Sequence, residues 1–146
     1  MKESGSNAVY SYEFTIPESA LDMNGHVNNV VYIQWMQDVA ILHANATGGT
    51  RAMHAAGGTW VVHSHKVEYL SPAFADEEIV ALTWVVNFRR VRSIRRYKFV
   101  KKNDNKLLAR GETEWVFVDA ETGRPRTIPQ EVARLFPLVS KDEEPQ

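Results

Sequence analysis

The chain contains no cysteine, which excludes disulfides, thiolate metal sites and a cysteine nucleophile, and which fits a reducing cytoplasm. It also lacks an excess of charge of either sign. The formal net charge of −1 supplies no global attraction to nucleic acid or to an anionic membrane. No apolar run approaches the length of a bilayer span, and Met1 to Asn7 holds no apolar stretch of the kind a secretory signal requires. Internal repeats, linkers and low-complexity tracts are missing as well. These absences make a soluble cytoplasmic protein the expectation. With 146 residues, 44% of them hydrophobic and 24% charged, the chain can build one domain with a sizeable core but not two.

What is present divides by period. Val9 to Ile16 alternates, with Tyr10, Tyr12, Phe14 and Ile16 on one face, and Pro17 stops that strand. Val30 to about Ala46 reads as a helix that is apolar on most sides, with Gln34, Gln37, Asp38 and Asn45 near one narrow stripe. Such a helix expects neighbours over most of its surface. Gly48-Gly49 is its terminator and Gly57-Gly58 a further break. Four strand-like runs follow: Thr59 to Leu70, Glu78 to Phe88, Ser93 to Lys102 and Lys106 to Asp119, the last two joined by a hairpin turn at Asn103-Asp104-Asn105. Glu78 to Phe88 is apolar on both faces and belongs inside the sheet. Pro129 can start a short helix through Phe136, and the polar tail Ser140 to Gln146 is expected to fray. The order predicts an α+β layer structure, a curved antiparallel sheet packed on one long helix.

The densest polar cluster precedes that helix. Asp22-Met23-Asn24-Gly25-His26-Val27-Asn28-Asn29 places a carboxylate, an imidazole and three carboxamides at a helix N-terminus. There the free N–H groups of the first turn and the helix dipole favour negative charge. A capped loop alone accounts for part of it, with Asn28 or Asn29 as the cap and Gly25 in the turn.

Asp22, Gly25, Val27 and Tyr32, together with the string Asp-Met-Asn-x-His-Val-Asn-Asn-x-x-Tyr-Ile-x-Trp, resemble the hotdog-fold thioesterases, the 4-hydroxybenzoyl-CoA thioesterase-like group. The fuller string is similar to the acyl-carrier-protein (acyl-ACP) thioesterase version. The likeness continues through Val67-Glu68-Tyr69-Leu70-Ser71-Pro72, Asp76-Glu77, Trp115-Val116-Phe117-Val118-Asp119, Thr122-Gly123-Arg124-Pro125 and Ile128-Pro129, so it covers about residues 8–137 of a single domain. It implies a curved sheet of about five strands wrapped around one central helix. It also implies a homo-oligomer, dimer or tetramer, whose active site lies between subunits. The implied activity is hydrolysis of an acyl-CoA or acyl-ACP thioester, with no metal and no cofactor beyond the substrate's own coenzyme A or phosphopantetheine. Thr59 to Leu70, long and poor in blunting charges, is the expected pairing edge.

The resemblance also assigns residues. Asp22 occupies the position of the family's catalytic Asp, as nucleophile or as general base for water. The backbone N–H of Asn29 is the expected donor to the thioester carbonyl. Asn24 and His26 match acyl-ACP thioesterase positions, for positioning substrate or water and for hydrogen bonding or proton shuttling. Pro72-Ala73 stands where the plant enzymes carry a Glu-Cys pair, which weakens His26 as a base. Tyr32 and Trp35 are candidates to line an acyl pocket. His63 and His65, two apart on a strand, should share a face and line an interface or pocket, since no third ligand at metal spacing accompanies them. Arg89, Arg90 and Arg92, within a run that includes Arg95 and Arg96, are candidates for the phosphates of the coenzyme or else form a solvated edge. No nucleic-acid recognition motif accompanies that run. Two rival functions stay open. One is hydration or dehydration of an enoyl or 3-hydroxyacyl thioester, although the hydratases place their His one residue later, where Val27 stands. The other is a non-catalytic acyl-thioester-binding dimer.

Overall fold

The computed structural model describes residues 8–145. β1 (Val9–Thr15) leads through a single 3-10 turn, Glu18–Ala20, and the polar loop into α1 (Asn29–Thr47). Then come α2 (Gly49–Ala55), β2 (Gly58–Tyr69), β3 (Glu78–Arg89), β4 (Arg92–Lys101), β5 (Leu107–Asp119) and α3 (Gln130–Ala133). The strands form one antiparallel sheet in the order β1-β3-β4-β5-β2, so β3 is internal and β2 is a free edge. The strand and long-helix boundaries lie within two residues of those read from periodicity. No helix among the described residues is long and apolar enough to cross a membrane.

α1 lies on one face of the sheet, burying Tyr32, Met36, Val39, Ala40 and His43. Met36 reaches the sheet at Gly111, where an added Cβ would sit 2.8 Å from the Met36 sulfur. A main core gathers Ile16, Tyr32, Met36, Phe99 and Leu108 around α1, and a second cluster of Val85, Phe117, Ile128, Val132 and Phe136 lies near α2 and α3.

α2 was not expected, because Gly48-Gly49 reads as a stop. Gly48, at φ 88°, ends α1 in the left-handed conformation and directly precedes the new helix. The terminal helix is shorter than expected, four residues followed by a turn through Phe136. The acidic tail does not fray over its described part. The Val139 N–H donates to the Val85 carbonyl, Trp84 Nε1–H donates to Glu144 Oε2 at 3.1 Å, Arg96 Nη1 donates to the same oxygen, and Lys98 Nζ donates to the Pro145 carbonyl. Trp84 is the reason: a large apolar residue on the outer face of the sheet needs a cover, and the tail is that cover.

Candidate active site

The polar loop closes on itself before α1 begins. Leu21 and Val27 form an antiparallel bridge, the Asp22 N–H donates to the His26 carbonyl at 2.7 Å, and Gly25 turns the chain at φ 78°. Asp22 Oδ1 accepts the N–H groups of Asn24 and His26 at 2.9 and 3.1 Å. One carboxylate oxygen therefore holds the loop, while Oδ2 has no partner among the described residues.

The start of α1 is tied down from three sides. The Val27 N–H donates to the Ala73 carbonyl, the Asn28 N–H to the Ala20 carbonyl, and Tyr69 Oη, from the end of β2, to the Asn29 carbonyl at 2.9 Å. Asn28 is the N-cap, its Oδ1 accepting the Val30 N–H at 3.1 Å, and the Asn28 carbonyl accepts the Val31 N–H. In this first turn the Asn29 N–H is left without an acceptor among the described residues, as expected for an uncapped donor at a helix start. A depression of about 370 Å³ lies against it, lined by Asp22, His26, Asn29, Tyr32, Tyr69 and the segment Leu70 to Ala73.

Tyr32 is 3% exposed and its Oη is buried without a hydrogen-bond partner among the described residues. Burial, with lesser contributions from Glu77 and Tyr69, raises its pKa to about 12, so the hydroxyl stays a proton donor. His26 is half-buried with its ring edge-to-face on Phe74 at 5.1 Å. Asn24 is exposed on the loop and is not part of the lining. The assembled groups can present an oxygen nucleophile or base to an electrophilic carbonyl and a main-chain donor to the oxyanion that follows.

Other expected residues lie elsewhere. Trp35 does not line the depression: it packs among Phe14, Tyr32 and Phe99, because the helical turn carries it to the core side. His63 and His65 do not share a face. A bulge between Val62 and Ser64 inserts one residue against β5, so His63 Nε2 faces Glu114 at 3.7 Å while His65 Nδ1 meets Thr113 Oγ1 at 2.9 Å. Glu114 and Thr113 are consecutive and point to opposite faces. Arg89, Arg90 and Arg92 sit at the β3–β4 hairpin, beside Val116 and hence Val61, eight residues along β2 from Tyr69. That is about 26 Å of strand, so within one chain they stand far from Asp22. Arg92 is also paired with Glu114 at 3.1 Å. The wall from Leu70 to Ala73 was legible as a motif, but nothing local in the sequence placed it beside the loop.

The model of the thioesterase-like superfamily matches residues 17–136. Among solved structures, the probable thioesterase YbaW from Escherichia coli superposes with a TM-score of 0.79 at 16% identity, covering 86% of this chain and 94% of that one. A 1,4-dihydroxy-2-naphthoyl-CoA thioesterase from Synechocystis gives 0.78 at 14% identity over 87% and 94%. An acyl-ACP thioesterase from Bacteroides thetaiotaomicron gives 0.80 at 22% identity over 96% of this chain but 58% of its own. A comparison with curated proteins finds no match. The sheet wrapped on a central helix is thus the hotdog fold of these neighbours, and with a family model matching most of its length the chain belongs to the thioesterase-like superfamily.

Proposed function

We propose that the protein hydrolyses acyl thioesters of coenzyme A or acyl carrier protein. The observation that carries this reading is the pairing, in one depression, of Asp22 Oδ2 with the Asn29 N–H, both without a partner among the described residues. In the proposed reaction Asp22 either takes a proton from the attacking water or adds directly to the carbonyl carbon. The carbonyl oxygen becomes an oxyanion held by the Asn29 N–H at the positive end of α1. Collapse of the tetrahedral species breaks the C–S bond, and the thiolate leaves and is protonated; where Asp22 has added directly, water then opens the mixed anhydride, releasing the acid and restoring the carboxylate. His26 supplies a further polar group at the rim, and Tyr69, bonded to the Asn29 carbonyl, holds the first turn of α1 in place. Asn24 acts only through the loop backbone.

A second copy completes the site in this proposal. The β2 edge exposes Val61, Val62 and Tyr69, and α1 exposes Val30 and Ile41 on a stripe shared with Gln34 and Gln37. Antiparallel pairing of two β2 edges about a two-fold axis sets the start of one strand beside the end of the other. Such pairing brings the arginine hairpin of one copy toward the Asp22 depression of the other, where coenzyme phosphates would meet it. The test is thiol release from a panel of acyl-CoA and acyl-ACP substrates, with Asp22→Asn beside the wild type. Retention of near wild-type turnover by the variant defeats the assignment.

A further inference from the structure

A second cavity of about 370 Å³ lies over the C-terminal half of α1, between α1, α2 and the inner face of the sheet. Its walls are mostly apolar, with Ala44, Met53, Trp60, Phe88 and Phe136 among them, but Gln37, Ser93 and Arg95 also line it. Arg95 is 6% exposed. Its Nη1 donates to His43 Nδ1 at 2.9 Å and to Thr83 Oγ1 at 3.0 Å. A guanidinium has no acceptor, so His43 Nδ1 carries the lone pair, and the Thr83 hydroxyl donates onward to the Arg96 carbonyl. Both partners are thus uncharged.

The neighbouring arginines differ. Arg92 pairs with Glu114, and Arg96 with Glu112 and Glu144. No carboxylate reaches Arg95 among the described residues, and its Nε and Nη2 have no acceptor there. A buried cation held only by neutral groups is costly unless a counter-charge completes it. The planar fork of a guanidinium fits a carboxylate in particular.

We propose that this cavity binds a carboxylate carried on an apolar body, with Arg95 as the counter-charge and the aromatic walls holding the body. At roughly 30 Å³ per water the space equals about twelve waters, enough for a saturated chain of about eight carbons. The proposal does not rest on the hydrolase reading, because binding is measured without turnover. Trp60 lines the cavity, and its emission reports occupancy alongside calorimetry.

Sodium octanoate is expected to bind saturably and about tenfold or more tightly than octan-1-ol, the difference expected of a charge-assisted pair. Arg95→Gln is expected to erase that preference. Ala44→Phe, which fills the cavity and retains the Arg95 side chain, is expected to abolish binding of both probes. Equal affinity for acid and alcohol, no saturable binding of octanoate, or unchanged octanoate binding by folded Ala44→Phe overturns the proposal. These measurements decide it even if Arg95→Gln does not fold. Thioesters with and without a terminal carboxylate separate the two sources of the anion. A KM lowered by that carboxylate, and restored by Arg95→Gln, places it on the acyl chain. Equal KM values with intact octanoate binding place it on a free acid.

Discussion

Asp22 divides its two oxygens between structure and chemistry, and two substitutions separate those roles. In Asp22→Asn the amide oxygen can still accept the N–H groups of Asn24 and His26, now held at 2.9 and 3.1 Å. The loop keeps its shape and loses only the charge on that oxygen. A hydrogen bond to a neutral acceptor is weaker than one to a carboxylate, so the expected cost is about 1 kcal/mol at this half-exposed site, or about 2–4 °C in Tm for a chain of this size. The other atom becomes an NH₂ group that neither attacks nor accepts a proton, and turnover is expected to fall by about 10²-fold or more. Asp22→Ala removes both bonds as well and leaves two loop N–H groups unpaired, so it should cost about 2–3 kcal/mol and melt lower than Asp22→Asn. Chromogenic thiol detection and thermal melts on the same samples check both. Near wild-type turnover in Asp22→Asn would refute the chemical role. Identical melting of the two variants would refute the structural one.

Four further outcomes are expected. Gly58→Ala places a Cβ 2.3 Å from the rigid, fully buried Phe117 ring and should destabilise by about 1–3 kcal/mol, whereas Gly111→Ala meets the flexible end of Met36 and should cost less; urea titration compares them. Val62→Glu combined with Val30→Glu puts charge on the exposed β2 edge and α1 stripe, so light scattering should show monomers and thiol release should fall about tenfold or more. Burial lowers the His65 pKa below its usual 6.5, so its neutral form contributes stability above that pH, and the contribution is lost as pH falls and the unfolded chain takes up the proton first. His65→Gln should flatten the slope of the urea midpoint between pH 7.5 and 5. With crotonyl-CoA, no loss of the enoyl absorbance is expected without thiol release; such a loss would favour the hydratase chemistry over hydrolysis.

The strands, the long helix and the loop were legible because each is written in local periods and turn residues. Tyr10, Tyr12, Phe14 and Ile16 alternate before Pro17, and Asp22, Gly25 and Asn28 occupy positions whose backbone demands suit them. α2 escaped because a glycine pair ends one helix and also permits another to begin at once. The tail escaped because its partner, Trp84, is 60 residues away in sequence. His63 and His65 were misplaced by the bulge, which inverts the alternation that spacing assumes and is visible only against β5.

By itself the sequence determined the order of the strands and the long helix, the placing of Asp22 in the loop before Asn29 at the helix start, and the thioesterase likeness, since all three depend on neighbours along the chain. Only the tertiary structure decided that Tyr69 clamps the Asn29 carbonyl, that Leu70 to Ala73 walls the depression, and that Arg95, alone in its basic run, turns inward with no counter-charge among the described residues. Which face a side chain takes, and whether a charge finds its partner, depend on strands paired across long sequence separations, and no local pattern encodes that geometry.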